Sequence, residues 1–343
     1  MMGKVYILIL NWNNWKDTIE CLESVFENSY PDYQVVVIDN ASTDGSEKKI
    51  TEWAEGKFNP DNKPIPYIRY DRETAEKGGH PEKEKILYQE LKPAVLHPLI
   101  IIQTGENLGY AGGNNTGLRY ALSKDDCDYI WLLNNDTVID KNALTEMVRL
   151  AKTDGKTGMV GSKIFHYHNP QVLQAAGGGK LIPWMGNAVH IGTNEKNTDR
   201  WNNPMDLDFI TGASLLVKKT LVEDIGLLDH RYFMYWEDVD WNTRARKKGY
   251  RAVYCPKSII WHKEGGTSGG ITPESDYYWS RNGLMFTKKF YPQFLPLVLL
   301  SYFAKYTLVR TLKRQPHNLK AFIKGVADFF KGRTGMISPQ HTK

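Results

Sequence analysis

Apolar residues along the chain fall into two alternating kinds of run. VYILIL (5–10) and YQVVVIDN (33–40) are continuous β-branched and aliphatic stretches of strand length. Between them Ile19, Leu22, Val25 and Phe26 recur at helical spacing over roughly 17–28. Continuous rather than alternating apolar strands, separated by helices, predict a parallel sheet buried on both faces. LIIIQTGENLGYAGGNNTGLRYAL (99–122) repeats the theme as a strand, a glycine-rich turn and a helix, and WLLNNDT (131–137) closes another apolar run. DFITGASLLVKK (208–219) predicts a strand preceded by a tight turn at Gly212, and WMGNAVHIG (184–192) a loop or hairpin. Over 232–251 the pattern predicts a helix. Glu237, Asp238 and Asp240 crowd its start, Arg244, Arg246, Lys247 and Lys248 its end, and Gly249 sits where it should stop. Residues 56–98 break the rhythm with proline, glycine and charge, and read as a long, partly ordered surface insertion.

In parallel α/β sheets the ligand crevice lies at the carboxyl ends of the strands. Three apolar runs end in polar groups at that edge: Asn11 and Asn13, then Asp39 and Asn40, then Asn134, Asn135 and Asp136. One such ending is turn chemistry. Three on one edge predict a site.

Charge adds a second feature. The net charge is +5, yet from Lys305 onward nine lysines and arginines face one acid, Asp328, so the rest of the chain is slightly negative. The basic segment predicts an anionic surface meeting the C-terminal region. Its apolar run of about a dozen residues, interrupted by Pro296, falls short of the roughly 20 needed to span a bilayer. Interleaved bases, Phe, Leu and Tyr over 293–332 predict amphipathic helices lying on an anionic membrane surface. Packing on the rest of the chain or in a homodimer is the alternative. Bases and aromatics follow no nucleic-acid reading module, which argues against that class of partner. Cys21, Cys127 and Cys255 lack paired spacing, which argues against a zinc site or disulfide framework and for a reducing compartment. The opening MMGKVYILILNW reads as a first strand rather than a signal peptide.

Eight segments in order carry a resemblance: ILNWNN (9–14), VVVIDNASTDGS (35–46), GENLGYAGGNN (105–115), WLLNNDT, FITGASLLVKK (209–219), MYWEDVDWNTRARKKGYR (234–251), CPKSIIWHKEGGTS (255–268) and YWSRN (278–282). Over about residues 4–290 the chain resembles the inverting family 2 glycosyltransferases of the GT-A fold, especially their bacterial rhamnosyltransferase-like branch. The resemblance implies an α/β GT-A domain over 1–290, a Rossmann-like mixed sheet flanked by helices, with 56–98 inserted and amphipathic helices over 291–343. It implies transfer of a sugar, rhamnose among the candidates, from a dTDP- or UDP-sugar to a hydroxyl of a cell-surface glycan or lipid-linked acceptor. The expected location is cytoplasmic, peripheral at the inner face of the plasma membrane.

The resemblance also assigns roles. Asp39 would accept the N3–H of uracil or thymine, which suits a carboxylate and rejects the unprotonated N3 of cytosine; an Asx turn with ASTDGS is its structural alternative. Leu10, Asn11 and Trp12 would line base and ribose, and Asn107, Gly112, Asn114 and Asn134 would lie on the donor. GYAGGNN lacks the lysine of a P-loop, but its glycines would let backbone N–H groups approach the donor. WLLNNDT stands at the metal-binding DxD position with the first aspartate absent, leaving Asp136, with His262 as a second ligand. Mg2+ or Mn2+ would draw further ligands from phosphate and water, imidazole leaning toward Mn2+. Asp238 would be the catalytic base, and Glu237 would orient the acceptor or Asp238. Gly212 and Trp236 would lie on the acceptor side. Trp236 and Trp241 suit either sugar stacking or the core, and Asp240 a helix-start charge. A nucleotidyltransferase is disfavoured because ILNWNNWKD lacks a Gly-rich basic loop. The alternative of another class is a non-catalytic nucleotide-sugar or glycan-binding protein, which would tolerate replacement of Asp136 and Asp238.

Overall fold

The computed structural model describes residues 3–58, 64–90, 97–263 and 272–337. The first strand β1 (Lys4–Asn11) is followed by α1 (Trp15–Phe26), β2 (Tyr33–Asp39) and α2 (Ser46–Ala54). Every residue of β2 is buried, as a central parallel strand requires. Next come β3 (Tyr67–Asp71), α3 (Arg72–Glu76), α4 (Pro81–Glu90), β4 (Leu99–Gln103), α5 (Gly109–Leu122) and β5 (Cys127–Asn134). The strands β5, β1, β2, β4 and β3 lie side by side in that order, all parallel.

Part of the expected insertion is therefore sheet. Within 56–98, β3 adds an edge strand to β4, and α3 and α4 follow it; residues 59–63 and 91–96 lie outside the described residues. Of the five residues of β3 only Tyr70 is buried. An edge strand covered on one side needs few apolar positions, so its hydrophobic pattern is faint.

The second half turns antiparallel. After β6 (Thr137–Ile139) and α6 (Ala143–Ala151) come β7 (Thr157–His166) and β8 (Asn169–Ala176). A hairpin follows, made by β9 (Gly178–Ile182) and β10 (Asn187–His190). The hairpin alternative for 184–192 is the one realised; the pattern had assigned no element to 157–182. Short β11 (Met205–Leu207) and β12 (Phe209–Ile210) precede β13 (Ser214–Lys218), α7 (Lys219–Ile225), α8 (Glu237–Lys247) and β14 (Arg251–His262). β13 lies antiparallel between β5 and β7, β14 runs parallel to β7, and β12 joins the hairpin in a separate three-stranded sheet.

Strand alternation splits the core into two layers. Val5, Ile7 and Ile9 meet α1, α2 and α6 through Leu22, Val25, Ile50 and Met147. Tyr6 and Leu8 face α5, α7 and α8 through Leu118, Leu221 and Trp241. Each such fully buried aliphatic side chain contributes about 1.5–3 kcal/mol by leaving water. Close approach of α5 to the sheet depends on Gly113, where a Cβ would sit 2.5 Å from Leu10 Cδ1.

Three C-terminal helices complete the described chain: α9 (Pro273–Phe290), α10 (Leu295–Leu312) and α11 (Pro316–Phe330). They pack together through Leu284, Val298, Tyr302, Phe322 and Val326. The buried Arg310–Asp276 pair (2.6 Å) ties α10 to α9. Residues 338–343 of the basic tail lie outside the described residues.

Candidate active site

Strand register places the polar endings on one edge. Asn11 lies opposite Asp39, Asp39 opposite Gln103, and Leu10 opposite Asn134. Asp39 is fully buried and its carboxylate already holds four donors. Oδ1 accepts from Asn11 Nδ2 (2.7 Å) and Ser42 Oγ (2.5 Å), Oδ2 from the Ser42 amide (3.1 Å) and Gln103 Nε2 (2.8 Å). The Asx-turn reading is thus realised, and the carboxylate's acceptor capacity is filled. Any base N3–H must take the place of one of these donors; Gln103 and Ser42 are half-buried, whereas Asn11 is fully buried. Gln103 carries no motif; only strand register reveals it.

Asn11 is buried as a link between Thr18 and Asp39 rather than displayed: Thr18 Oγ1 donates to its Oδ1 at 2.8 Å and its Nδ2 donates to Asp39. Trp12, 38% exposed, offers the open aromatic face at this edge. Asn107 Oδ1 accepts from Asn40 Nδ2 and from the Gly109 amide, both at 2.9 Å, and so secures the start of α5. Gly112 and Asn114 do not present backbone to this crevice. They lie inside α5, where a Cβ on Gly112 would meet Leu108 and Asn114 Nδ2 donates to Tyr110 O. The glycines of GYAGGNN serve packing because α5 begins at Gly109 rather than beyond the motif.

The WLLNNDT turn brings a second group together. His262 Nε2 lies 3.0 Å from Asp136 Oδ1 and 3.4 Å from Asn134 Nδ2. The antiparallel pairing of β6 with β14 sets this contact, since His262 lies opposite Thr137. Gln174 Oε1, 2.8 Å from His262 Nδ1, accepts the Nδ1 proton, so that Nε2 is the ring nitrogen turned toward Asp136. Outer hydrogen bonds of this kind orient metal-binding histidines. Asp136 and His262 therefore fit a divalent ion as one oxygen and one nitrogen ligand. Among the described residues no three His, Cys, Asp or Glu side chains gather as a cage, so the remaining ligands would be phosphate and water oxygens. Asn135 is buried and donates to Thr18 Oγ1 at 2.9 Å, bracing the turn against α1.

The third group surrounds α8. Asp238 Oδ2 accepts the Gly212 amide at 3.0 Å and Oδ1 accepts the Val239 amide at 2.7 Å, leaving one acceptor position on each oxygen. Burial pushes the Asp238 carboxyl above its ordinary range, opposed by those amides and by the charge of His190 on β10. Glu237 is buried, its Oε2 has no partner among the described residues, and desolvation followed by repulsion from Asp238 raises it well above the carboxylate range. Gly212 also accepts Tyr110 Oη at its carbonyl (2.7 Å), and the neighbouring Ala213 carbonyl accepts the Asn134 amide (3.0 Å). The 211–213 turn thus stands between Asp238 and the Asp136–His262 pair.

For Trp236 and Trp241 the core alternative is the one realised, and Trp236 does not line the acceptor side. Trp236 and Trp241 are 1% and 0% exposed, so neither stacks on a sugar. Trp236 packs on Phe286 and Trp279, and Trp241 donates Nε1 to Gly226 O. Asp240 is more than a helix-start charge: buried, it accepts Tyr232 Oη, Arg244 Nε and Lys289 Nζ.

A parallel half joined to an antiparallel half, with the Asp136 turn at the seam, is the mixed α/β architecture shared with GT-A glycosyltransferases. Solved GT-A structures superpose over nearly the whole chain. The mannosyltransferase PcManGT of Pyrobaculum calidifontis, in complex with GDP-Man and Mn2+, gives a TM-score of 0.53 at 15% identity, covering 96% of this chain and 88% of that one. TarS 1–349 of S. aureus gives 0.52 at 15% identity over 99% and 82%. The chain belongs to the glycosyltransferase-like family 2, whose model matches residues 3–275. Relatives include the low-salt glycan biosynthesis hexosyltransferase Agl10 of Haloferax volcanii, 26% identical over 45% of this chain and 48% of that protein. The N-acetylglucosaminyl-diphospho-decaprenol L-rhamnosyltransferase of Mycobacterium tuberculosis is 24% identical over 49% of this chain and 60% of its own length. The chain thus spans about half the length of the curated relatives it matches.

Proposed function

We propose that this chain is an inverting, metal-assisted glycosyltransferase that moves a sugar from a dTDP- or UDP-sugar to a hydroxyl of a cell-envelope glycan or lipid-linked acceptor. The observation that carries this reading is the placement of Asp238, held by the Gly212 amide one residue from the Ala213–Asn134 contact that leads to Asp136 and His262. The free acceptor position on Asp238 takes the proton of the acceptor hydroxyl. As that oxygen bonds to the anomeric carbon, the carbon–phosphate oxygen bond breaks and the nucleoside diphosphate leaves with the electron pair from the opposite face, so the centre inverts. Asp136 and His262 would hold Mg2+ or Mn2+, whose chemistry is to neutralise charge on a leaving diphosphate. Neighbours solved with Mn2+ and with GDP-Man or UDP support divalent-metal and nucleotide-sugar use. Glu237, buried beside Asp238 and held well above the carboxylate range by desolvation, would orient the acceptor or Asp238. Asp39 supports a pyrimidine base provided Gln103 yields its place on Oδ2.

The C-terminal helices support contact with an anionic membrane surface. Leu297, Leu300, Phe303, Leu308 and Leu312 of α10 are exposed, and so are Lys305, Lys313 and Arg314 on or just after the same helix. No helix among the described residues is long and apolar enough to cross a membrane.

A donor screen tests the reading: thermal shift and donor hydrolysis with dTDP-rhamnose, UDP-hexoses, UDP-N-acetylhexosamines and GDP-mannose, with and without Mn2+. Mn2+-dependent stabilisation by dTDP- or UDP-sugars is the expected result. Preference for GDP-mannose would overturn the Asp39 assignment, and metal-independent binding and turnover would overturn that of Asp136.

A further inference from the structure

The segment leading into α8, YFMYWED, contains no glycine, yet Phe233, Tyr235 and Trp236 adopt φ of 67°, 63° and 77°. Left-handed backbone costs non-glycine residues about 1–3 kcal/mol each and persists only where the surroundings enforce it. What enforces it here is one side chain of α9. Asn282 Nδ2 lies 2.8 Å from Tyr232 O, 2.7 Å from Met234 O and 3.0 Å from Tyr235 O. Three carbonyls of an irregular turn converge on one amide nitrogen, itself fully buried.

The orientation of that amide is fixed. Arg281 Nε donates to Asn282 Oδ1 at 2.9 Å, and a guanidinium has only donors to offer, so the NH2 group must face the turn. Arg281 Nη2 adds a bond to Tyr232 O at 3.1 Å. From the other side the Ala111 amide donates to Phe233 O (3.2 Å), which approaches so closely that a Cβ on Gly109 would sit 2.3 Å from it. Trp236, left-handed and without a side-chain cap, then opens α8, its carbonyl accepting the Asp240 amide at 2.8 Å. Asp238 is two residues further on.

We propose that Asn282 is a positioning residue for catalysis: its amide clamps the left-handed turn 232–236 and thereby fixes the start of α8 and the carboxylate of Asp238. The inference rests on the reading of Asp238 as base. Asn282→Ala removes the Asn282 donor from the Met234 and Tyr235 carbonyls and leaves Tyr232 O to Arg281 Nη2 and the Met234 amide, whereas Asn282→Asp keeps the shape but replaces the donors with acceptors facing three carbonyls.

The test uses the full chain and two readouts. Hydrogen exchange followed by mass spectrometry should show about ten-fold or faster exchange over 232–240 in both variants, with the β1–β2–β5 core unchanged. In donor turnover kcat should fall about 100-fold while the donor KM stays within about three-fold, as for a misplaced catalytic group. Adding Tyr235→Gly to Asn282→Ala should recover part of kcat, because glycine takes positive φ without strain. Unchanged exchange at 232–240 would overturn the clamp. So would faster exchange spread evenly over the chain with kcat and KM lost together, since Asn282 would then serve stability alone. If exchange rises locally but neither the Asn282 variants nor Asp238→Asn alter turnover, the clamp stands and the base assignment falls.

Discussion

The Asp238 carboxylate accepts the main-chain N–H of Gly212 at 3.0 Å, and the carbonyl of the same glycine accepts Tyr110 Oη at 2.7 Å. One peptide turn thus couples the candidate base on α8 to the start of α5. A Cβ at position 212 would lie 2.6 Å from Tyr110 Oη and 2.9 Å from its Cζ. Gly212→Ala should therefore push the turn off Asp238 and lower kcat about 10–100-fold. Adding Tyr110→Phe removes the nearest atom and should restore part of it. Steady-state kinetics of the single and double variants check this; equal loss in both would show that Tyr110 is not the obstacle.

The acid limb of the pH–rate profile should report Asp238. Its carboxyl is raised by burial, so activity should climb with pH through a value above the ordinary carboxylate range as the base loses its proton. His190 acts in the opposite direction, its positive charge favouring the ionised form. His190→Ala should move the limb to higher pH with little change in the plateau. A limb that stays in place would remove His190 from the electrostatics of the site.

Glu237 makes the complementary prediction for stability. Its folded pKa is raised, so between the unfolded value and the folded one the native state holds a proton that the unfolded chain has lost. Stability from this group is complete below the unfolded value and falls as pH rises toward the folded one. Glu237→Gln, always neutral, should gain Tm relative to the native chain, and the gain should widen from pH 5 to pH 8. Thermal melts across that range measure it; a gain independent of pH would contradict a protonated Glu237.

Much of this geometry was legible in the residues. The strands 5–10 and 33–40 announced themselves because both faces are buried, and their polar endings do share one edge, as Asn11, Asp39 and Gln103 in register demonstrate. The helix over 237–247 and its stop at Gly249, φ 89°, followed from charge and glycine alone. What the sequence hid was contact across distance. Gln174 reaches His262 through the pairing of β8 and β14 with β7, and His190 nears Asp238 on a hairpin; neither lies within a motif. For Trp236 the residues left sugar stacking and core packing both open, and tertiary packing on Phe286 and Trp279 turns it inward. Hydrophobic pattern cannot distinguish an aromatic that lines a cleft from one that supports it.

The exposed leucines of α10 should govern membrane contact. Leu300→Glu with Leu308→Glu should abolish sedimentation with vesicles containing anionic lipid, and raising salt should weaken binding of the native chain. Persistent binding in the double variant would move the contact elsewhere. A native chain that ignores vesicles and sediments as a dimer would assign these exposed leucines to a second copy.

The most direct measurement is single-turnover transfer from a dTDP- or UDP-sugar at saturating Mn2+, comparing the native chain with Asp238→Asn, with donor affinity determined alongside. Loss of the base should slow the chemical step about 10²–10⁴-fold and leave donor affinity unchanged, while the native product carries the inverted anomeric configuration. Transfer by Asp238→Asn at the native rate, or a product that retains the donor's configuration, would contradict the role of Asp238 as the base of an inverting displacement.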